Sequence, residues 1–358
     1  MKMSRFLKSV YTALDVYTPG EQPKDTVYTK LNTNESPYPP GPKTVRAVAD
    51  ASLAENLRKY CDPDAHGLKR ALAEACGVQE AQVFVSNGSD DILNFAFMAF
   101  SEDGVCFPEI TYGFYPVFAM LHGLDVRTIP LKEDFSVDPE DYMHAGRMVV
   151  LANPNAPTGI ALSLEHIAGI CRSNPEHVVL IDEAYVDFGT ESALKLVDEF
   201  PNLLVVQTFS ESRSLAGARI GFAVAQPELI ADLERIKYST NPYNVNTVSQ
   251  AAGVAALEED SYYRENCRRI METRAYTVQK LEELGFRVVP STANFVFARH
   301  PEFDGGELDR ELKERKVLIR HFDKKEISQY NRITIGSREE MDRLLAETRE
   351  ILSGKGVL

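Results

Sequence analysis

No apolar run in the 358-residue chain approaches the roughly 20 residues needed to cross a bilayer as a helix, which argues against a membrane span. The opening MKMSRFLKSVYTALDVYTPG is basic for only a few residues and lacks a long apolar region with a small-residue cleavage site. No signal peptide is read there, and a cytoplasmic location is expected. Cysteine is scarce: Cys61, Cys76, Cys106, Cys171 and Cys267 are odd in number, widely spaced and free of any C-x-x-C. That fits reduced thiols and offers no disulfide or metal framework. The histidines show no H-x-x-x-H spacing, so no metal is expected. Positive charge is also in the minority. With 39 basic against 53 acidic side chains and a net charge of −14, a general nucleic-acid or anionic-membrane binder is disfavoured. Low-complexity tracts and short-period repeats are absent.

What is present is a chain long enough for a large core and two domains. From about residue 80, short β-branched runs alternate with helical patterns: QVFVS before a Gly-containing turn, then GVCF (104–107), DVRTIPL (125–131), RMVVLA (147–152), HVVLIDEAY (177–185) and NLLVVQTFS (202–210). This alternation predicts an α/β domain with a mostly parallel sheet. Beyond residue 238 the character changes. A turn-rich stretch leads into a long charged helix over about 247–284, then FRVVP (286–290), NFVFAR (294–299), KVLIRHF (316–322), NRITIG (331–336) and a terminal helix. The expected organisation is an N-terminal arm (1–30, with a helix-like piece), a large domain (31–245) and a smaller α+β domain (246–358).

Ligands of parallel sheets gather beyond the carboxyl ends of the strands, so the polar residues after each apolar run are the candidates. Asn87-Gly88-Ser89-Asp90-Asp91 lies where a strand turns into a helix. Helix N-terminal amides there suit a phosphate, while the plainer reading is a helix capped by Ser89 or Asp90. Tyr112 in EITYG is either a ring-stacking or a packing residue, and 153-NPNAPTG-159 is at least a rigid turn. Within 180-LIDEAYVDF-188, Asp182 follows directly on an apolar strand, where a carboxylate needs a partner, and Tyr185 lies three residues on. In 208-TFSESRSLAGARIGFAVA-225, Ser210 and Arg219 suit an anion, and Gly217 and Gly221 permit close approach.

Together with LNTNESPYPP (31–40), KYCDPDAHGLKRALAEACGV (59–78), NPYNVNTVSQ and RITIGSREE (332–340), these segments resemble the fold-type-I pyridoxal-phosphate-dependent aminotransferases. Among these, the histidinol-phosphate type is the most similar. The resemblance runs nearly end to end and is specific as a set. It implies a homodimer with a seven-stranded, mostly parallel sheet in the large domain, and transfer of an amino group between glutamate and imidazole-acetol phosphate in histidine biosynthesis. Asp182 would pair with the pyridine nitrogen of pyridoxal 5'-phosphate, making the ring an electron sink. Tyr185 would bond the ring's phenolic oxygen and Tyr112 would stack on the ring. Ser210, Arg219 and the backbone at Ser89 and Asp90 would hold the phosphate, with Tyr60 reaching it from a second subunit. Arg332 would grip a substrate carboxylate. Asn34, Tyr17 and Arg320 would line the substrate mouth.

Two positions depart from the family pattern. Ala156 stands where an asparagine is usual, and Asn155, one residue earlier, is taken as its substitute. More important, Ser210 is followed by Glu211, where the family has the lysine that bonds covalently to the cofactor and moves the substrate proton. No lysine occurs between Lys195 and Lys237 to replace it. A carboxylate forms no imine. At ~6 Å from a phosphate and an effective dielectric of ~20, it would be repelled by about 3 kcal/mol unless screened or protonated. The chain is therefore expected to hold its cofactor non-covalently and to turn over poorly. Intact neighbours such as Asp182, Tyr185 and Arg219 point to a recent change rather than long decay. Three alternatives stand beside this reading: a lysine-less enzyme with other chemistry, a phosphothreonine-decarboxylase-like enzyme, and a non-catalytic cofactor binder.

Overall fold

The computed structural model describes residues 4–358 except 13, 15 and 25, together with the backbone but not the side chain at Val10. Its strands are β1 (Thr29–Lys30), β2 (Val83–Ser86), β3 (Val105–Pro108), β4 (Val126–Ile129), β5 (Met148–Ala152), β6 (Val179–Asp182), β7 (Leu203–Thr208), β8 (Gly221–Val224), β9 (Arg287–Val289), β10 (Phe295–Arg299), β11 (Val317–Leu318), β12 (Arg320–His321) and β13 (Asn331–Thr334). The helices are α1 (Pro42–Ala51), α2 (Ala54–Leu57), α3 (His66–Cys76), α4 (Ser89–Phe100), α5 (Phe114–His122), α6 (Leu164–Ser173), α7 (Pro227–Thr240), α8 (Thr247–Glu258), α9 (Asp260–Glu283), α10 (Gly305–Glu314) and α11 (Arg338–Gly354).

A seven-stranded sheet in the order β2-β8-β7-β6-β5-β3-β4 forms the large body. Its strands run parallel except β8, which is antiparallel to both neighbours. The central strands are apolar on both faces because both faces are covered. Val149, Leu151, Val179 and Ile181 pack with α3, α6 and α8, whereas Met148, Val150 and Leu180 pack with α4, α5 and α7. This is the doubly covered arrangement that continuous β-branched runs specify. Only β4, at the edge, leaves Val126 exposed. The smaller body holds the antiparallel sheet β12-β13-β10-β9 with α10, α11 and the second half of α9. Among the described residues, no helix is long and apolar enough to cross a membrane.

Several expectations need revision. The long helix predicted over 247–284 is two, because the chain turns at Glu259 between α8 and α9. KVLIRHF also divides: Val317–Leu318 pairs with β1, and Arg320–His321 with β13. Strand β8, read as part of a glycine-rich loop, returns antiparallel between β2 and β7. The helix-like piece in the arm is a three-residue turn, Ser9–Tyr11, with residues 1–3 outside the described part. Core packing divides α8 and α9 between the two bodies. Ala252, Ala256 and Tyr263 belong to the large-body core, while Cys267 and Ile270 belong to the smaller one. Leu31 joins the smaller core too, so the chain visits that body before it builds the large sheet.

The junction that places α4 is tight. Gly88, with φ +83°, is the N-cap in place of Ser89 or Asp90, and no side chain caps this helix. A Cβ on Gly221 would lie 2.3 Å from the Gly88 carbonyl carbon and 2.4 Å from the Ser89 nitrogen. Those are backbone atoms and cannot swing aside. Gly221→Ala is therefore expected to destabilise the protein by about 1–3 kcal/mol in urea unfolding, the usual range for overpacking. Unchanged unfolding would show that the β8–α4 contact yields freely.

Candidate active site

Strands β5 and β6 end side by side, Ala152 aligned with Asp182, while β7, aligned with Asp182 at Val206, runs on to Thr208. Beyond these ends lies a cavity of about 110 Å³ lined by Ser89, Asp90, Tyr112, Asp182, Tyr185, Ser210, Glu211 and Arg219, with Ala152, Pro154, Ala156, Ala184 and Thr208 completing the wall. Eight residues singled out in the sequence thus meet in one small space.

Asp182 is buried, and one of its carboxylate oxygens, Oδ2, accepts from the Tyr115 hydroxyl at 2.8 Å. The other, Oδ1, is buried without a hydrogen-bond partner among the described residues. Burial pushes this carboxyl up to about 6, against the opposing pull of Tyr115. Tyr115 escaped notice in the sequence although it lies in the TYGFY segment, three residues after Tyr112. Glu183, next to Asp182 in the chain, was also missed. It is buried, pushed up to about 7 by desolvation, and held by Ser192, the Ala193 amide and Gln207.

The anion end is built around Arg219, which adopts φ +53° and donates to Asp90 at 3.0 Å. A Cβ on Gly88 would strike its guanidinium at 2.5 Å, so glycine there lets Arg219 lie across the α4 N-terminus. Free amides of that first turn face the same region. Asp90 also accepts from the Tyr112 hydroxyl at 2.8 Å, which fixes the tyrosine ring in the wall. Ser210 accepts from Thr208 at 2.9 Å. Tyr185 receives a hydrogen bond from Asn34 at 3.0 Å, and Asn34 is itself fixed by Thr334.

Glu211 completes the wall. Its Oε2 is buried without a hydrogen-bond partner among the described residues. Desolvation, then the neighbouring Asp182 and Asp90, push its carboxyl up to about 8, with Arg219 opposing.

Two sequence expectations fall outside this cavity. Asn155 does not replace the missing asparagine. Its amide is committed to the Ile110 carbonyl and Thr158, and its oxygen to Thr111, while Ala156 faces the cavity. The one-residue offset turns the side chain into the loop. Tyr60 lies away from the cavity of its own chain, 83% exposed and stacked on Tyr243 with ring centroids 4.6 Å apart. Near it, Asp62, Asp64 and His66 bring ligand atoms within 4.8 Å of one another, a grouping the histidine-spacing search did not detect.

An adjoining cavity of about 360 Å³ shares Tyr112 and Ala156 with the first and is lined by Tyr17, Arg320, Lys324 and Arg332. Arg332 and Arg320 face each other across β13 and β12. Each has one hydrogen bond to a backbone carbonyl, of Asn32 and Thr18 respectively. Among the described residues, the buried Arg332 Nε has no hydrogen-bond partner and neither guanidinium forms an ion pair. Two like charges opposite each other on paired strands favour an anion between them.

The residues present suit a phosphorylated pyridine. A buried carboxylate with one open oxygen, Asp182 Oδ1, fits a protonated ring nitrogen, and arginine with helix amides fits a phosphate. They do not suit a covalent link, because Glu211 has no amine.

A family model for class I and II aminotransferases matches residues 26–347. The chain belongs to that family. It is 47% identical over 350 residues to the histidinol-phosphate aminotransferase of Acinetobacter baumannii (strain AYE), covering 97% of each chain. It is 48% identical over 354 residues to that of Marinomonas sp. (strain MWYL1), covering 98% of this chain and 100% of the relative. A solved histidinol-phosphate aminotransferase from Sinorhizobium meliloti, in complex with pyridoxal-5'-phosphate, superposes with a TM-score of 0.87 at 25% identity, covering 98% of this chain and 99% of that one.

The three buried carboxyls make stability depend on pH in this aminotransferase fold. Asp182, Glu183 and Glu211 all titrate above their ordinary 3.8 or 4.5 when folded. Their contribution is full below about pH 4 and is lost as pH climbs through about 6, 7 and 8. Glu211→Gln cannot ionise, so its stability relative to the parent should rise between about pH 5 and pH 8, by on the order of 2–4 kcal/mol. Urea titrations across that range check this, and a pH-independent difference would show that Glu211 ionises freely.

Proposed function

We propose that this chain is built for transamination of the histidinol-phosphate type, exchanging an amino group between glutamate and imidazole-acetol phosphate, with pyridoxal 5'-phosphate in the 110 Å³ cavity. The observation that carries the reading is the convergence of the Asp182 carboxylate with its open Oδ1, Tyr112, Tyr185, Ser210, Arg219 and the α4 N-terminus on that cavity. When bound, the cofactor supplies an electron-withdrawing ring that stabilises charge at the reacting carbon. Asp182 holds the proton on the ring nitrogen and Tyr115 orients Asp182. Tyr185 hydrogen-bonds the ring oxygen, positioned by Asn34. Arg219, Ser210 and the amides of Ser89 and Asp90 bind the phosphate, and Tyr112 covers the ring.

In the adjoining cavity, Arg332 takes the substrate carboxylate and Arg320 an anionic group at the far end. Tyr17 closes that side by stacking on Phe114, ring centroids 4.2 Å apart. Glu211 is able to hold a proton near neutrality but makes no covalent bond to the cofactor, so turnover is slow.

A homodimer is part of the proposal. Tyr60 projects from a segment pinned by Lys237 to the Pro63 carbonyl and by Gln250 to the Asp62 carbonyl, each at 2.8 Å. Leu53 and Leu57 lie exposed on the same stretch. That is a pre-positioned surface, with apolar Leu53, Leu57 and Tyr60 beside the charged Glu55, Arg58 and Lys59, suited to a second copy whose cavity Tyr60 would enter.

Glu211→Lys tests the reading. With pyridoxal phosphate this variant should develop a visible absorption band and transaminate with glutamate, exceeding the parent by at least about 10²-fold, the lower range for a restored proton-transferring group. Absence of both the band and turnover would sink the assignment. In the same variant, Arg332→Met should raise KM for glutamate by about 10-fold or more, the loss of a charge-assisted pair. An unchanged KM would remove Arg332 from substrate binding.

A further inference from the structure

Glu211 changes which ligand the cavity is suited to hold. The walls carry three carboxyl groups, Asp90, Asp182 and Glu211, against one guanidinium, Arg219, which is already paired with Asp90. Tyr112 gives its hydroxyl hydrogen to Asp90, and Tyr115 gives its own to Asp182. Tyr185 accepts from Asn34. Among the described residues, none hydrogen-bonds the buried Oε2 of Glu211. A buried acceptor of this kind is costly unless a donor arrives.

We infer that the cavity selects a phosphorylated ligand bearing a primary ammonium group, and so binds the amine form of the cofactor, pyridoxamine 5'-phosphate, in preference to the aldehyde form. This rests on the cofactor reading proposed above. The aldehyde presents only an acceptor oxygen, which the Glu211 carboxyl group can meet only while it keeps its proton. The amine presents up to three N–H donors and a positive charge, which answers both the missing hydrogen bond and the surplus of acid. In relatives with lysine at this place the logic is reversed: an amine in the wall bonds the aldehyde and repels an ammonium. A single exchange of sign therefore reverses the preference while leaving the phosphate and ring contacts unchanged. In the unliganded site burial first, then Asp182 and Asp90, push the Glu211 carboxyl up, and an ammonium group beside it would oppose that rise.

Equilibrium binding at pH 7.5 tests the inference directly, by calorimetry on the full chain, Glu211→Gln and Glu211→Lys. The probes are pyridoxamine 5'-phosphate, pyridoxal 5'-phosphate, 4'-deoxypyridoxine 5'-phosphate and inorganic phosphate. The deoxy compound carries a methyl group at the same carbon and cannot react with surface lysines. The full chain should bind the amine about 10- to 100-fold more tightly than the deoxy or aldehyde form, the range of one charge-assisted hydrogen bond. Glu211→Gln should reduce that preference to within about threefold, and Glu211→Lys should favour the aldehyde. Equal binding of amine and deoxy forms by the full chain, or an undiminished preference in Glu211→Gln, would overturn the inference and leave the cofactor reading intact. If no pyridine ligand binds better than inorganic phosphate, the cofactor reading itself fails and the inference falls with it.

Discussion

The parallel register of β5, β6 and β7 is the constraint on which the site depends. It aligns Ala152, Asp182 and Val206 at one edge of a sheet buried on both faces. Each fully buried Val, Leu or Ile in those strands contributes about 1.5–3 kcal/mol, and a shift of one residue would turn every side chain to the opposite face. The sheet therefore has enough stabilisation to hold a carboxylate at the end of β6 that gains little by itself. Asp182 is fixed from below by the strand and from the side by Tyr115, on the helix that follows β3. The remaining groups arrive on segments that leave the same edge or its β8 neighbour. Gly221 and Gly88 bring β8 and the α4 N-terminus close enough for Arg219 to reach Asp90.

Much of this was legible in the amino-acid pattern because strand ends have a simple signature, an apolar run followed at once by a polar residue. Asp182, Ser210 and the Asn87–Asp91 turn were found that way. Strand β8 was not, since GFAV directly follows glycine-rich turn chemistry, and only pairing with β2 and β7 makes it a strand. The α8–α9 break at Glu259 was hidden for a related reason: helical periodicity continues on both sides of it. Asn155 shows a different limit. Proximity in sequence suggested that it would take over from its neighbour, but a side chain's direction is set by the loop's own hydrogen bonds. Those bonds engage both ends of its amide. Tyr115 illustrates the converse, a residue with no motif of its own that becomes visible only when α5 lies against β6.

The two cavities differ in electrical character, and the difference fits a division of labour. The inner one is acid-rich, with Asp90, Asp182 and Glu211 around Arg219. The outer one carries Arg320, Arg332 and Lys324 against Glu109. Anions are drawn to the outer cavity, while the inner one accepts an anion only at Arg219 and the helix terminus. Tyr112 belongs to both walls and separates them.

Glu211 has disturbed the chemistry of this site without dismantling its fold, and burial explains why. An ionised carboxylate at this depth, beside Asp182 and Asp90, would be expensive, so the group instead takes up a proton near neutrality, as its rise to about 8 indicates. A neutral acid in a polar wall costs far less than a buried charge, and the hydrophobic layers behind it do not sense the change. On the proposed reading, the cavity would therefore keep the residues for ring and phosphate contacts while offering no amine to bond the cofactor. Covalent attachment and cofactor recognition are separable here because they rest on different elements. On that reading attachment would hang on one side chain after β7, while recognition would be distributed over β6, α4 and the Arg219 turn.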